Sequence, residues 1–181
     1  MRTFIITSVL IIFLLSACNI PRPGQPNPGL TVEPDSSEQD LSTTECAYMW
    51  ARKPLPDLSE DFKEALKEVQ PQADGYAEAY GENCVDSQGN VVRFLSMETD
   101  FYATLEVEGL RDKQSLGELT EQVLNVVSKF PIEDTPGPQP GYVGINFEAP
   151  EDEFRLWFTQ SDADAALENG LHGEELFNAL Q

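Results

Sequence analysis

A run of strict alternation restricts this fold more than any other feature of the chain. Phe101, Ala103, Leu105 and Val107 are apolar, and Tyr102, Thr104, Glu106 and Glu108 follow each in turn. Successive side chains on a strand point to opposite faces, so a period of two marks a strand buried on one side. Two further stretches suit the same sheet. Tyr142 to Phe147 places Val143, Ile145 and Phe147 on one side, and Phe154 to Thr159 does the same with Phe154, Leu156 and Phe158. Pro150-Glu151-Asp152-Glu153 fits the turn between them, so the pair reads as a hairpin.

The remaining segments supply helices and weaker strands. Ser59 to Gln70 carries Phe62, Ala65, Leu66 and Val69 at helical spacing, has Glu60 and Asp61 in its first turn, and stops at Pro71. Tyr76 to Val85 reads as a strand interrupted by Ala and Gly, Asp86 to Asn90 as a turn, and Val91 to Met97 as a second strand. Glu98-Thr99-Asp100 either bends one long strand or separates two. Ser115-Leu116-Gly117-Glu118 matches a capping box. The helix behind it carries the stripe Leu116, Leu119, Val123, Val127 and Phe130, and Pro131 closes it. A Pro-rich loop from Ile132 to Pro140 follows. Short helices are expected over Asp162 to Asn169 and Glu174 to Leu180, with Gly170 as a stop. Short turns favour antiparallel pairing. The predicted fold is α+β: a two-layer sandwich with an antiparallel sheet of about four strands, helices on one face, and the order αββαββ plus short C-terminal helices.

If the apolar positions face the helices, the other face carries Tyr102, Thr104, Tyr142, Asn146, Arg155, Trp157 and Thr159. That set is aromatic and hydrogen-bonding, which suits a peptide, glycan or protein partner. Tyr, Trp and Thr are also simply good residues for a half-exposed sheet. Tyr48 and Trp50 are expected to pack over that face or wedge at its edge. No catalytic set stands out. His172 has no nucleophile near it in sequence and reads as a surface or helix-start residue, and no Gly-x-Ser-x-Gly elbow exists. Calcium is the one metal the composition permits, but Asp86 to Asn90 and Asp162-Ala163-Asp164 both fall short of a full loop. No metal and no cofactor is predicted. The Gly137, Gly141 and Gly144 region precedes a strand, unlike a phosphate loop, and the Pro136 to Pro140 stretch shapes a sheet edge.

The N-terminus says how the chain is held. Met1-Arg2-Thr3 is followed by an apolar run from Phe4 to Leu15, broken only by Thr7 and Ser8. Twelve helical residues rise about 18 Å, too little for a hydrocarbon core of roughly 30 Å. The run therefore reads as a signal-peptide core. Leu15-Ser16-Ala17-Cys18 comes next. This stretch resembles the lipobox of bacterial lipoproteins, and all four positions match. The resemblance implies diacylglycerol on the Cys18 sulfur, cleavage after Ala17, and a new amino terminus open to acylation, with palmitate the expected kind of chain. It covers only the signal region, so the downstream domain is left to its own residues. Residues 1–17 are then the signal peptide, residues 18–45 the lipidated Cys and a tether, and residues 46–181 a single domain. The tether holds Pro21, Pro23, Pro26, Pro28 and Pro34 and no apolar period, a composition that cannot offset its ordering entropy. With Cys18 committed to lipid, Cys46 and Cys84 form an even pair that reads as an extracytoplasmic disulfide, the alternative being two buried thiols.

Charge narrows the partner. The chain has 11 Lys and Arg against 32 Asp and Glu, a formal charge of -21. Nothing here can neutralise a run of phosphates, so nucleic acid is not expected. Nine basic and twenty-seven acidic residues fall within residues 46–181, so the domain itself is acidic. The leading expectation is a non-catalytic interaction module of the cell envelope. It is held on the extracytoplasmic face of the membrane by the Cys18 lipid, and it meets a basic envelope protein, a lysozyme-like enzyme being one version, or a glycan. The alternative is a cell-wall glycan hydrolase with paired carboxylates, which requires a concave pocket and a carboxyl of raised pKa.

Overall fold

The computed structural model describes residues 45–181. The expected signal peptide, Cys18 and all but the last residue of the tether lie outside the described residues. The elements run β1 (Ala47–Pro54), α1 (Pro56–Leu66), β2 (Asp74–Val85), β3 (Val91–Glu106), α2 (Lys113–Val127), a 3-10 turn (Ile132–Asp134), β4 (Gln139–Glu148), β5 (Glu153–Thr159), α3 (Gln160–Glu168) and α4 (Gly173–Leu180).

The architecture is mixed α and β, with four helices against one curled sheet of five strands in the order β1-β2-β3-β4-β5. This corrects the expected αββαββ order and its four antiparallel strands in a two-layer sandwich. A strand precedes α1, and β3 pairs with β4 in parallel while the other neighbours are antiparallel. The parallel pair follows from the connection. A chain leaving β3 can start a parallel neighbour only after a crossover of a dozen or more residues, and α2 lies in that crossover. Glu98-Thr99-Asp100 bends one continuous strand, because β3 runs through it with a register shift against β4.

One core joins the four helices to strands β2 to β5. Phe62 and Leu66 of α1 meet Ala77, Phe101, Ala103 and Leu105 of β2 and β3. Val143, Ile145, Phe147, Leu156 and Phe158 come from the β4–β5 hairpin. Leu116, Val123, Ala163, Leu176 and Phe177 come from the later helices. The hairpin register sets Val143 opposite Phe158, Ile145 opposite Leu156 and Phe147 opposite Phe154, so the period-two expectation holds there.

Helix ends differ from the expectation in instructive ways. α1 starts at Pro56, whose missing N–H and fixed φ suit a first turn, and it ends at Leu66, well before Pro71. The capping box is not formed as expected. Asp112 caps α2, accepting the Ser115 N–H at 3.2 Å and the Ser115 hydroxyl at 2.8 Å. An Asp three residues upstream outcompetes the Ser because its charge also meets the helix N-terminus. Gly170 does stop α3, with φ at +76°, a conformation costly for a residue with a Cβ. Cys46 and Cys84 are disulfide-bonded, with Cα atoms 5.0 Å apart. The bridge ties the residue before β1 to the far end of β2. Among the described residues, no helix is long and apolar enough to cross a membrane.

Candidate functional site

Aromatic residues divide by type across the sheet. Seven phenylalanines, Phe62, Phe101, Phe130, Phe147, Phe154, Phe158 and Phe177, lie in the core or against it. The chain's five Tyr and two Trp all lie on the opposite side, away from the helices. The division has a physical cause: Tyr and Trp carry a polar O–H or N–H that prefers a wet face, while Phe has none to satisfy.

Strand pairing turns these residues into stacks. Tyr142 and Trp157 have ring centroids 5.2 Å apart and planes within 14°. Trp157 lies 5.3 Å from Tyr102, which stacks on Tyr76 at 4.5 Å and 9°. Farther along the sheet, Trp50 stacks on Tyr80 at 5.3 Å and 5°. Strand spacing of about 4.8 Å makes cross-strand rings natural neighbours. Gly144 makes room for the first stack. A Cβ there would meet Trp157 Cε3 and Cζ3 at 2.9 Å, so the indole takes the space that a side chain on β4 would occupy.

A charged cluster sits between the two stacks. Arg52 on β1 donates to Glu78, to Asp100 and to the Tyr102 hydroxyl, and its guanidinium lies 5.3 Å over the Tyr80 ring. Asp100 is 1% exposed. Its Oδ1 accepts the Tyr142 N–H at 2.8 Å, and its Oδ2 faces Arg52 at 3.2 Å and the Tyr102 hydroxyl at 3.4 Å. Burial raises the Asp100 carboxyl above its ordinary value, against the pull of the Tyr142 N–H and Arg52. Burial and the nearby Asp100 raise Glu98 in the same direction. The Tyr102 hydroxyl is raised too, by burial first and then by Asp100.

All seven predicted face residues fall on this side, and the structure brings only some of them together. Tyr102, Tyr142 and Trp157 form the stack. Thr104 lines a depression of about 560 Å³ with Asp74, Tyr76, Glu106 and Glu148. Asn146 donates to Glu148 at 3.0 Å, and Arg155 is exposed beside it on β5. Thr159 serves the fold instead, capping α3 by accepting the Asp162 N–H at 3.0 Å. The reading from sequence missed Tyr76, Tyr80, Arg52, Glu78 and Asp100. The signal for three of them was present, because Tyr76, Glu78 and Tyr80 alternate with Ala77 and Ala79. Alanines make a faint apolar face, so that alternation was easy to overlook.

The other candidates have local partners. Asp86 accepts the Gln88 and Asn90 N–H groups at 2.9 and 2.8 Å, as a turn residue does. His172 Nδ1 lies 3.1 Å from Glu121, which also accepts the Gly173 N–H at the start of α4. Pro136 accepts the Thr99 hydroxyl, which fastens the Pro-rich loop to β3. Among the described residues, no group of three or more His, Cys, Asp or Glu is placed to hold a metal ion. A cleft of about 610 Å³ beside the β3–α2 connection is lined by Val107, Leu110, Ser115 and Leu119 and touches none of the predicted face. No family model matches the chain, and neither a curated protein nor a solved structure matches it.

Proposed function

We propose that this chain is a lipid-anchored, extracytoplasmic binding module of the cell envelope, and that its Tyr and Trp face takes the partner. One observation carries the reading: every Tyr and Trp of the chain lies on the side of the sheet that faces away from the described helices, while the phenylalanines of the core lie on the other. Fold stability does not require that division, because Trp50, Tyr76 and Trp157 remain 61%, 50% and 39% exposed. Large, stiff, amphipathic rings on an open face are what binding surfaces use, since they offer contact area at low entropic cost. The acidic domain favours a cationic protein over a neutral glycan, because long-range attraction accelerates encounter. The resemblance of Leu15 to Cys18 to a lipobox supports the anchor, and the Cys46–Cys84 disulfide agrees with an oxidising compartment.

The hydrolase reading asked for a carboxyl of raised pKa, and Asp100 is one. Both its oxygens are occupied by Tyr142, Arg52 and Tyr102. It holds the face together, which supports the binding reading. The test is capture from envelope extract on an immobilised chain that starts at Asn19. A cationic protein retained by the wild type and by Ile132→Ala, but lost with Trp157→Ala, is the expected result. Retention by Trp157→Ala, or turnover of wall glycan with no retained partner, overturns the proposal.

A further inference from the structure

Part of the sheet projects beyond the core. β4 pairs with β3 only from Glu98 onward. Residues 47–51, 81–85 and 91–97 therefore form a three-stranded arm that adds nothing to the main core cluster, Cys84 being buried beside its own disulfide. β1 is the last strand of the sheet, so its outer backbone edge meets no strand among the described residues. Tyr48, Met49 and Trp50 on that edge are 50%, 59% and 61% exposed. Apolar edge strands of this kind pair with further strands unless something blunts them.

Two observations identify the strand that fits. The first is charge. The edge strand, residues 45–54, holds one acidic and two basic side chains, whereas the remainder of residues 45–181 holds twenty-seven acidic and seven basic. Like charge opposes contact between two copies over most of the surface and least at this edge, while a cationic partner is drawn to the rest of the surface. The second is the edge sequence, Glu45-Cys46-Ala47-Tyr48-Met49-Trp50-Ala51-Arg52-Lys53. It complements itself when reversed about Met49. Antiparallel pairing centred there sets Met49 against the partner's Met49 and Tyr48 against the partner's Trp50. It also sets Ala47 against the partner's Ala51, and Lys53 against the partner's Glu45. Cross-strand aromatic pairs and opposite charges are the contacts that stabilise such a ladder. A two-fold interface must be self-complementary in this way.

We propose that β1 is a self-association edge, where two copies pair antiparallel about Met49 and join their sheets into one. The two-fold axis stands perpendicular to that sheet, so the Tyr and Trp faces of both copies point the same way. The pairing goes beyond the binding reading and does not depend on it, since Met49 lies on the face opposite Trp50.

A chain starting at Asn19 retains every described residue and suits the test. Sedimentation equilibrium in about 0.5 M salt, which screens the like charges, is expected to show a reversible dimer. Met49→Lys places two cations at the axis and is expected to weaken association about tenfold or more. Compared in about 0.15 M salt, where close opposite charges still attract, Lys53→Glu weakens it several-fold, and adding Glu45→Lys to that chain restores it. Met49→Cys cross-links between copies with a short thiol-reactive linker, and Val92→Cys on the other edge of the arm does not. Circular dichroism checks that each variant keeps the wild-type fold. A chain that stays monomeric, association unchanged by Met49→Lys, or no rescue by the charge exchange overturns the proposal.

Discussion

Asp100 shows how a single residue organises the open face. It replaces a backbone acceptor where β3 and β4 shift register, and it receives the Tyr142 N–H. Its raised carboxyl gives a pH signature. The folded state holds that proton more tightly than the unfolded chain, so this contribution is most favourable below the ordinary Asp value of about 3.9. It is lost as pH rises through the folded value. Asp100→Asn keeps an acceptor for Tyr142 and removes the titration. Urea unfolding midpoints from about pH 4 to pH 7 should therefore gain more with rising pH in Asp100→Asn than in the wild type. Parallel curves would mean that the Asp100 carboxyl does not titrate differently in the two states. None of this could be read from Glu98-Thr99-Asp100 alone, because the buried position depends on a strand more than forty residues away in the chain.

Among the elements, legibility in sequence follows burial. β5 and the second half of β3 were readable because one side of each is buried and the other wet. β1 was not, because seven of its eight residues are exposed and no alternation marks an inner face. The parallel β3–β4 pair was hidden for a different reason: a half-buried strand carries the same pattern whichever direction its neighbour runs. β1 is held by its ladder to β2, the Trp50–Tyr80 stack and the Cys46–Cys84 bridge. Closing a loop of 38 residues stabilises the fold by about 4 kcal/mol in the chain-entropy model. Reduction is expected to release β1 first. Hydrogen exchange should then speed up across Ala47–Pro54 while the amides of β4 and α2 stay protected. Loss of protection in every element together would show that β1 is part of the cooperative core.

For the whole molecule, location and surface belong together. The sequence resembles a lipoprotein from Leu15 to Cys18, and the acidic domain presents its Tyr and Trp away from its own helices. Cells fed a labelled fatty acid are expected to label the wild-type chain and not Cys18→Ser; equal labelling would rule out the anchor. The face itself was partly legible. Its three central rings followed from strand alternation, whereas the flanking Tyr76, Tyr80 and Trp50 depended on pairing with β2 and β1, which the sequence leaves open. Because the chain has only two tryptophans, Trp50 and Trp157, both on that face, fluorotryptophan labelling yields two resonances that report on it directly. Titration with the captured cationic partner is expected to shift the Trp157 line most and Trp50 less, with both returning when the partner is removed. Binding that leaves both lines unmoved would place the contact elsewhere and contradict a role for the Tyr and Trp face.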